Sequence, residues 1–474
     1  MRATGAGSTE VSRASIGLRS ERGPVLAGVM ITIALIALES TVLATAVPTI
    51  VSDLGGFTQF PWLFSAYLLA QAATVPIYGR LSDMFGRRPI LFVGIGLFLV
   101  GSVLCGLAWS MPALIVARAV QGLGAGAIQP AAMTIVGDIY TIAERAKVQG
   151  YLASVWGMSS VVGPLIGGLV TEYVSWRWIF FVNLPIGAFA VWMLRRSFRE
   201  EVARQRHRID YLGSTLLSIG SAVIVFGLLE GGVSWEWSSV LGIGVPVVGL
   251  LVLGGFALAE RRAVEPVLPL WVLTRRLLLW GNVLQLGVGV LLIGLSSYVP
   301  AFVQGVLGHG PLVAGLALGA MSVGWPLAAS NSGRLFLRIG FRNTSLIGLI
   351  ALVPGTLPLM FLDAGSHVWQ VALWCFLIGV GLGLLSSPTL VAMQSSVGWE
   401  DRGVVTGTNM FCRAVGSAIG VAVCGALANA TLAGGTSSAA IATATHDVFV
   451  ALAVVAVLTI GAVVAMPRTV SPRS

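Results

Sequence analysis

Residues 79–88 read Gly79-Arg80-Leu81-Ser82-Asp83-Met84-Phe85-Gly86-Arg87-Arg88, and residues 333–342 read Gly333-Arg334-Leu335-Phe336-Leu337-Arg338-Ile339-Gly340-Phe341-Arg342. Gly79 aligns with Gly333, Arg80 with Arg334, Gly86 with Gly340 and Arg88 with Arg342. Each stretch lies between two apolar runs, so each reads as a short turn between helices in which glycine permits tight backbone geometry. The chain therefore carries an internal repeat, and Leu337 stands where the first copy has the acid Asp83.

Working outward from the repeat, apolar runs predict helices near 24–47, 61–79, 89–109, 112–136, 148–172 and 176–194, then 211–229 and 238–258. A last group lies near 278–300, 311–333, 344–362, 367–387, 403–428 and 446–466. The two turns follow the second and tenth helices, as expected for two six-helix halves with a helix pair inserted between them. The expected fold is an all-α membrane protein of fourteen transmembrane helices arranged six plus two plus six. Its divisions are a tail at 1–23, a first bundle at 24–200, the inserted pair and linkers at 201–276, a second bundle at 277–467 and a tail at 468–474.

Composition agrees. Of the 474 residues 56% are hydrophobic and 10% charged, against roughly 25% charged in a soluble domain. Runs of roughly 20 apolar residues suffice to cross a hydrocarbon core. The 60 glycines suit helices that pack in lipid by close backbone approach. The net charge of +9 comes almost wholly from arginine, with Lys147 the single lysine. These cations fall in short clusters, such as Arg80, Arg87 and Arg88, then Arg145 and Lys147, then Arg195 to Arg208, then Arg334, Arg338 and Arg342. That is the pattern of topology determinants, not of a nucleic-acid surface. It predicts both termini on the cytoplasmic side, with Arg177 alone in an outer loop. Residues 1–23 lack the apolar core of a signal peptide and read as a cytoplasmic tail.

Cys105, Cys375, Cys412 and Cys424 sit in apolar runs without metal-ligand spacing, and read as small core residues. No metal and no cofactor is expected. Enzyme motifs such as HExxH, GxSxG and a Walker loop are absent from the sequence, so catalysis and direct ATP drive are not expected. A receptor would need a soluble output domain, for which no loop is long enough.

Ionisable residues in lipid are costly and mark function. Three are deep by this assignment: Glu39, Arg118 and Arg413. At 1.5 Å per residue Glu39 lies roughly 22 Å from the inner face and Arg118 roughly 9 Å below the outer one, so the two share a depth in a core of about 30 Å. Glu39 is the candidate titrating carboxylate and Arg118 its partner, since burial and a neighbouring guanidinium oppose each other in setting proton affinity. The alternative is a permanent ion pair that fixes helix packing. In the 79–88 turn, Gly79, Asp83, Gly86, Arg87 and Arg88 form a candidate cytoplasmic gate with Asp138, predicted at similar depth; the alternative is a loop that only sets topology. In the fifth helix Gly157, Gly163, Gly167 and Gly168 allow close helix approach, and Pro164 removes a backbone hydrogen bond and favours a kink. Mid-helix Gln71, Gln121, Gln129, Trp156, Asn282, Gln285, Trp325, Asn331, Gln394 and Asn409 are candidates to line a substrate cavity, each equally suited to bridging helices.

The turn motif, together with Leu114-Ile-Val-Ala-Arg118-Ala-Val-Gln121-Gly122 and Gly157-Met-Ser-Ser-Val-Val-Gly163-Pro164-Leu-Ile-Gly167-Gly168, resembles the major facilitator superfamily. Leu38-Glu39-Ser-Thr-Val-Leu-Ala-Thr-Ala-Val-Pro48 and Trp176-Arg-Trp-Ile-Phe-Phe-Val-Asn183-Leu-Pro185-Ile-Gly187 narrow the resemblance to the fourteen-helix drug:proton antiporters. The resemblance spans Pro24 to Pro467. Pro300-Ala-Phe-Val-Gln304-Gly305 and Arg413-Ala-Val-Gly416-Ser-Ala-Ile-Gly420 look like family features of the ninth and thirteenth helices. Family members often carry Asp where this chain has Glu39. The resemblance implies a monomeric, proton-coupled exporter of lipophilic or amphipathic small molecules in a bacterial cytoplasmic membrane, with the 157–168 stretch sealing the resting state. Its partners are then substrate, protons and membrane lipid. The alternative cargo on the same fold is a lipid, glycolipid or secreted metabolite.

Overall fold

The computed structural model describes residues 17–55, 62–198, 200, 210–231, 234–263, 266, 268–432 and 437–468. Among them the chain is helical, apart from one isolated bridge between Gly231 and Trp235. The first helices are α1 (Gly23–Leu54), α2 (Trp62–Phe85), α3 (Arg87–Gly106), α4 (Met111–Ile139), α5 (Ile142–Tyr173), α6 (Trp178–Phe181) and α7 (Asn183–Ser197). Then come α8 (Tyr211–Glu230), α9 (Val240–Glu260), α10 (Trp271–Thr274), α11 (Arg276–Gly305), α12 (Pro311–Ile339) and α13 (Phe341–Thr356). The last are α14 (Val368–Ser395), α15 (Arg402–Leu432) and α16 (Ser438–Ala465). The tail readings for residues 1–16 and 469–474 lie outside the described residues, as does the linker at 201–209.

Each expected segment falls on these helices, with α6 and α7 together making the sixth and the 344–362 segment ending in a 3-10 helix over Leu357–Phe361. Twelve stretches among the described residues are long and apolar enough to cross a membrane; α2 is not among them. The helix α2 packs against α4, α15 and α8, so much of its surface meets protein instead of lipid. Polar residues such as Gln71 and Thr74 on α2 are the result. The helix α5 packs against α1 and α12, and several of its side chains lie outside the described ones.

The repeat seen in the sequence recurs in the packing. The pairs α3/α4, α2/α4, α1/α5 and α1/α7 in the first part match α13/α14, α12/α14, α11/α15 and α11/α16 in the last. Two seams join the parts, α2 against α15 and α5 against α12. The aligned glycines explain themselves here. Gly86 (φ 96°) and Gly340 (φ 84°) both adopt positive φ at the α2–α3 and α12–α13 turns, where an L side chain would be strained. Gly79 serves the seam: a Cβ there would stand 2.6 Å from the Gly403 carbonyl oxygen of α15. The helices α8 and α9 pack on each other, and α8 also touches both α2 and α15.

At the end away from the clustered arginines, Asp53 accepts a hydrogen bond from Trp176 Nε1 at 2.9 Å and pairs with Arg177 at 2.8 Å. The Trp176 bond and the Arg177 guanidinium hold the Asp53 carboxyl below its usual range. A depressed folded value stabilises above the unfolded one and is lost as pH falls through the folded one. Asp53→Asn is therefore expected to melt slightly below the parent at pH 7, with the gap closing under strong acid in a thermal-shift series; a gap independent of pH would refute this.

Candidate functional site

Two polar clusters stand apart from the apolar packing. The first is sealed among α1, α2, α3, α4 and α7. Glu39 and Arg118 are both almost fully buried and pair directly, Nη1 to Oε1 at 2.6 Å. The same guanidinium donates to Gln121 Oε1 at 2.6 Å and, through Nε, to the Leu63 carbonyl at 3.0 Å. It lies 4.3 Å from the centre of the Tyr67 ring. The second Glu39 oxygen accepts from Asn183 Nδ2 at 2.6 Å, and Ser102 Oγ joins Gln121 (2.9 Å) and Asn183 (3.2 Å). A buried charge pair is tolerated only when its remaining hydrogen-bonding positions are filled. Here both carboxylate oxygens have partners, while the Tyr67 hydroxyl is buried with none among the described residues.

Sequence reasoning paired Glu39 with Arg118 by depth but missed Tyr67, Ser102 and Asn183. The available signal was an amide in an otherwise apolar helix: Asn183 opens α7 at the same level. Gln121, taken as a cavity residue, instead spends its amide holding Arg118 and Ser102.

The second cluster closes the arginine-rich end across the α2/α15 seam. Asp83 turns both oxygens onto the first turn of α15, accepting from the backbone N–H of Gly403 at 2.8 Å and of Val404 at 2.7 Å. Unpaired N–H groups and the helix dipole make that end a natural anion site. Arg87 bonds Asp83 at 2.8 Å and Asp138 at 2.9 Å, donates to the Trp399 carbonyl at 2.5 Å, and lies 3.7 Å from the Trp399 ring centre. Arg402 reaches back to Asp138 at 2.9 Å. Arg145 donates to the Gly137 and Tyr140 carbonyls. Arg87, with no exposed surface, is the hub.

Arg88 does not join this cluster. It donates to the Arg195 carbonyl at 3.2 Å, and the Glu200 carboxylate accepts from the backbone N–H of Arg87 (2.9 Å) and Arg88 (2.8 Å), capping α3. Trp399, Arg402 and Gly403 were missed, although a second repeat announces them. Thr141-Ile-Ala-Glu144-Arg145-Ala-Lys147-Val148-Gln-Gly150 aligns with Gly398-Trp399-Glu-Asp401-Arg402-Gly-Val-Val405-Thr-Gly407. Because Leu337 replaces the acid, the start of α5 is not capped as α15 is. It uses its own Thr141 and Glu144 as a capping box.

Along α5 the glycines divide. A Cβ on Gly157 would stand 3.1 Å from the Ser322 carbonyl of α12, and one on Gly163 would collide with Thr41 Oγ1 of α1. Gly167 is buried. Gly168 corrects the expectation of close approach, since a Cβ there meets nothing within 4 Å: it lies on the helix face turned away from its partners. The Pro164 side chain lies outside the described ones. Gly163→Ala is expected to lower the melting temperature, at a cost of about 1–3 kcal/mol from overpacking, and Thr41→Ala in the same chain to recover most of it; no recovery would show that the clash is not the cause.

Of the remaining cavity candidates, Gln285 donates to Asn409 at 3.0 Å, and Gln394 donates to Thr406 at 2.9 Å and to the Met133 carbonyl of α4 at 3.5 Å, bridging the two parts. Asn282 is buried, and neither amide atom bonds to a described residue. Asn331 is exposed and donates to Leu327 of its own helix. Trp156, Trp325, Gln71 and Gln129 keep partly exposed side chains.

Comparison with known proteins agrees with this architecture. Residues 29–421 match the Major Facilitator Superfamily. Multidrug resistance protein 3 of Bacillus subtilis is 35% identical over 404 residues, 85% of this chain and 79% of that one. Multidrug transporter protein MdtP of the same organism is 33% identical over 414 residues, covering 87% and 76%. The crystal structure of the human organic anion transporter MFSD10 superposes with a TM-score of 0.66 at 15% identity, covering 94% of this chain and 99% of that one, a likeness of fold. This multi-pass membrane protein belongs to the Major Facilitator Superfamily of transporters and is similar to its multidrug-efflux members.

Proposed function

We propose that the chain is a proton-coupled antiporter that exports lipophilic or amphipathic small molecules by alternating access. The observation that carries this reading is the buried Glu39 carboxylate, held by Arg118 and Asn183 in a region otherwise suited to lipid. A group so placed binds or releases its proton only when the surrounding helices move, which is the requirement for coupling. The Asp83–Arg87–Asp138–Arg402 cluster supports a resting state closed on the cytoplasmic side, with α15 docked by its N-terminus. The names of the similar Bacillus proteins support multidrug cargo.

On this reading α2 and α5 also span the bilayer, giving fourteen spans. The divisions 24–200, 201–276 and 277–467 rest on the matching helix pairs of the two parts. The arginine-rich end is cytoplasmic by the positive-inside rule, the chain acts as a monomer, and the membrane is a bacterial cytoplasmic one. Protein reconstituted in sealed vesicles, loaded with a pH-sensitive dye and given an outward drug gradient or an imposed pH gradient, tests the reading. Drug-dependent proton movement that stops when a protonophore collapses the gradient is the expected result. Drug movement indifferent to the protonophore would remove the proton from the mechanism.

A further inference from the structure

Arg413, in the middle of α15, is the third deep charge in the chain and differs from Arg118 in one respect. Its guanidinium makes no hydrogen bond, ion pair or aromatic contact with any described residue. Glu39, the acid at membrane depth, is committed to Arg118 and Asn183.

The faces of α15 indicate where Arg413 looks. Gly403 meets α2 at Gly79, Gly416 and Gly420 meet α11, and Val404 and Val405 belong to one apolar cluster with Leu217 of α8 and Met393 of α14. Thr406 faces Gln394, whose amide also reaches Met133 of α4. Arg413 is seven residues beyond Thr406, two turns along the same stripe. It also lies three and seven residues before Gly416 and Gly420, and its backbone carbonyl packs on Gly289 of α11, so its side chain leaves α15 between the α11 contact and the Thr406 face that looks toward α4.

Two more uncommitted polar groups share that level. Gln129 is four residues from Met133 on the same stripe of α4, and Gln71 lies on α2 between the face that meets α15 and the face that meets α4 through Tyr67 and Thr74. Both side chains are partly exposed, and neither amide head bonds to a described residue. Counting from the seam contacts at 1.5 Å per residue, Arg413 is about 10 Å beyond Thr406, Gln129 about 6 Å beyond Met133 and Gln71 about 12 Å beyond Gly79. The length of the arginine side chain spans the difference.

A guanidinium stays charged in any environment and presents planar donors matched to a carboxylate, and amides add neutral donors and acceptors on either side. An ionisable residue at this depth without a protein partner is functional by default. We propose that Arg413, flanked by Gln71 and Gln129, is an anion-recognition site between the two parts, and that the cargo is an amphipathic molecule carrying a carboxylate or similar monoanion. This rests on the transport reading above and adds the class of substrate to it.

Purified protein in nanodiscs of phosphatidylcholine, titrated with 11-(dansylamino)undecanoate and with its methyl ester, tests the proposal by dansyl fluorescence. The wild type is expected to bind the carboxylate at least tenfold more tightly than the ester, equivalent to about 1.4 kcal/mol. Arg413→Gln is expected to bring the ratio close to one by weakening only the carboxylate, and Arg413→Lys to restore part of it. Equal binding of acid and ester by the wild type overturns the proposal whether or not the variants fold, and so does a ratio unchanged in a folded Arg413→Gln. Displacement of the carboxylate by millimolar inorganic phosphate would assign the site to a free anion. Its loss in phosphatidylglycerol nanodiscs would assign it to a lipid headgroup. Either overturns the cargo assignment. The dye-loaded vesicle assay separates this proposal from the transport reading: proton-coupled drug flux without carboxylate preference defeats only the former, and absence of any coupled flux defeats the latter.

Discussion

Glu39→Gln is expected to abolish gradient-driven export while leaving downhill movement of the same compound intact. The substitution keeps size and one acceptor oxygen, so Asn183 or Arg118 retains a partner, but it removes the proton from the site. Coupling should fall by about 100-fold or more, the scale of losing an essential proton-transfer group. Concentrative uptake into inverted vesicles under an imposed pH gradient, compared with efflux down a drug gradient, measures both halves of the statement. Unchanged uphill transport would reduce the Glu39–Arg118 pair to a packing device. Arg118→Ala is the contrasting case: it leaves a buried carboxylate without its cation, a change worth about 3–5 kcal/mol. Loss of folded protein is expected, with partial rescue by adding Glu39→Gln.

The second large effect is expected at Asp83. Its carboxylate holds two backbone N–H groups of α15 and the Arg87 guanidinium, and charge-assisted bonds of this kind contribute about 1.5–3 kcal/mol each. Asp83→Asn keeps one acceptor oxygen but loses the charge that meets both Arg87 and the helix end. A loss of about 3 kcal/mol from the closed state shifts its population against the open one by roughly 100-fold. Spin labels on exposed positions at the ends of α2 and α15 should then report a longer distance in the variant. Export should fall at least tenfold, because a transporter that cannot close one side leaks or stalls. A distance distribution identical to that of the parent would show that α15 is docked by packing alone.

Much of this was legible in the chain itself, for identifiable reasons. Helix positions follow from runs of roughly 20 apolar residues, which satisfy their backbone groups in lipid by forming helices. The turns at 79–88 and 333–342 were legible because a positive φ demands glycine, and the same demand at Gly86 and Gly340 leaves the same letter in both copies. Glu39 and Arg118 could be paired because depth along a straight helix is simple arithmetic. The partners from other helices were harder. Asn183, Ser102 and Tyr67 are ordinary residues whose importance arises only when five helices converge, and no spacing along the sequence encodes that convergence. Asp83 was expected in a cytoplasmic gate with Arg87 and Asp138. That it spans the seam to cap α15 depends on how the two parts dock, which local pattern does not contain. The amides split the same way: Gln121, Gln285 and Gln394 are spent on neighbouring helices, whereas Gln71 and Gln129 are not, and composition treats all five alike.

The helix α8 leans on α2 and on α15 at once, bracing one seam, while among the described residues neither α8 nor α9 packs substantially against α5 or α12. Any rocking that parts α2 from α15 must shear α8 past at least one of them; parting α5 from α12 meets no such drag. The molecule thus has a stiff flank and a free flank in the plane of the bilayer, so its motion should be that of a gate hung on one side.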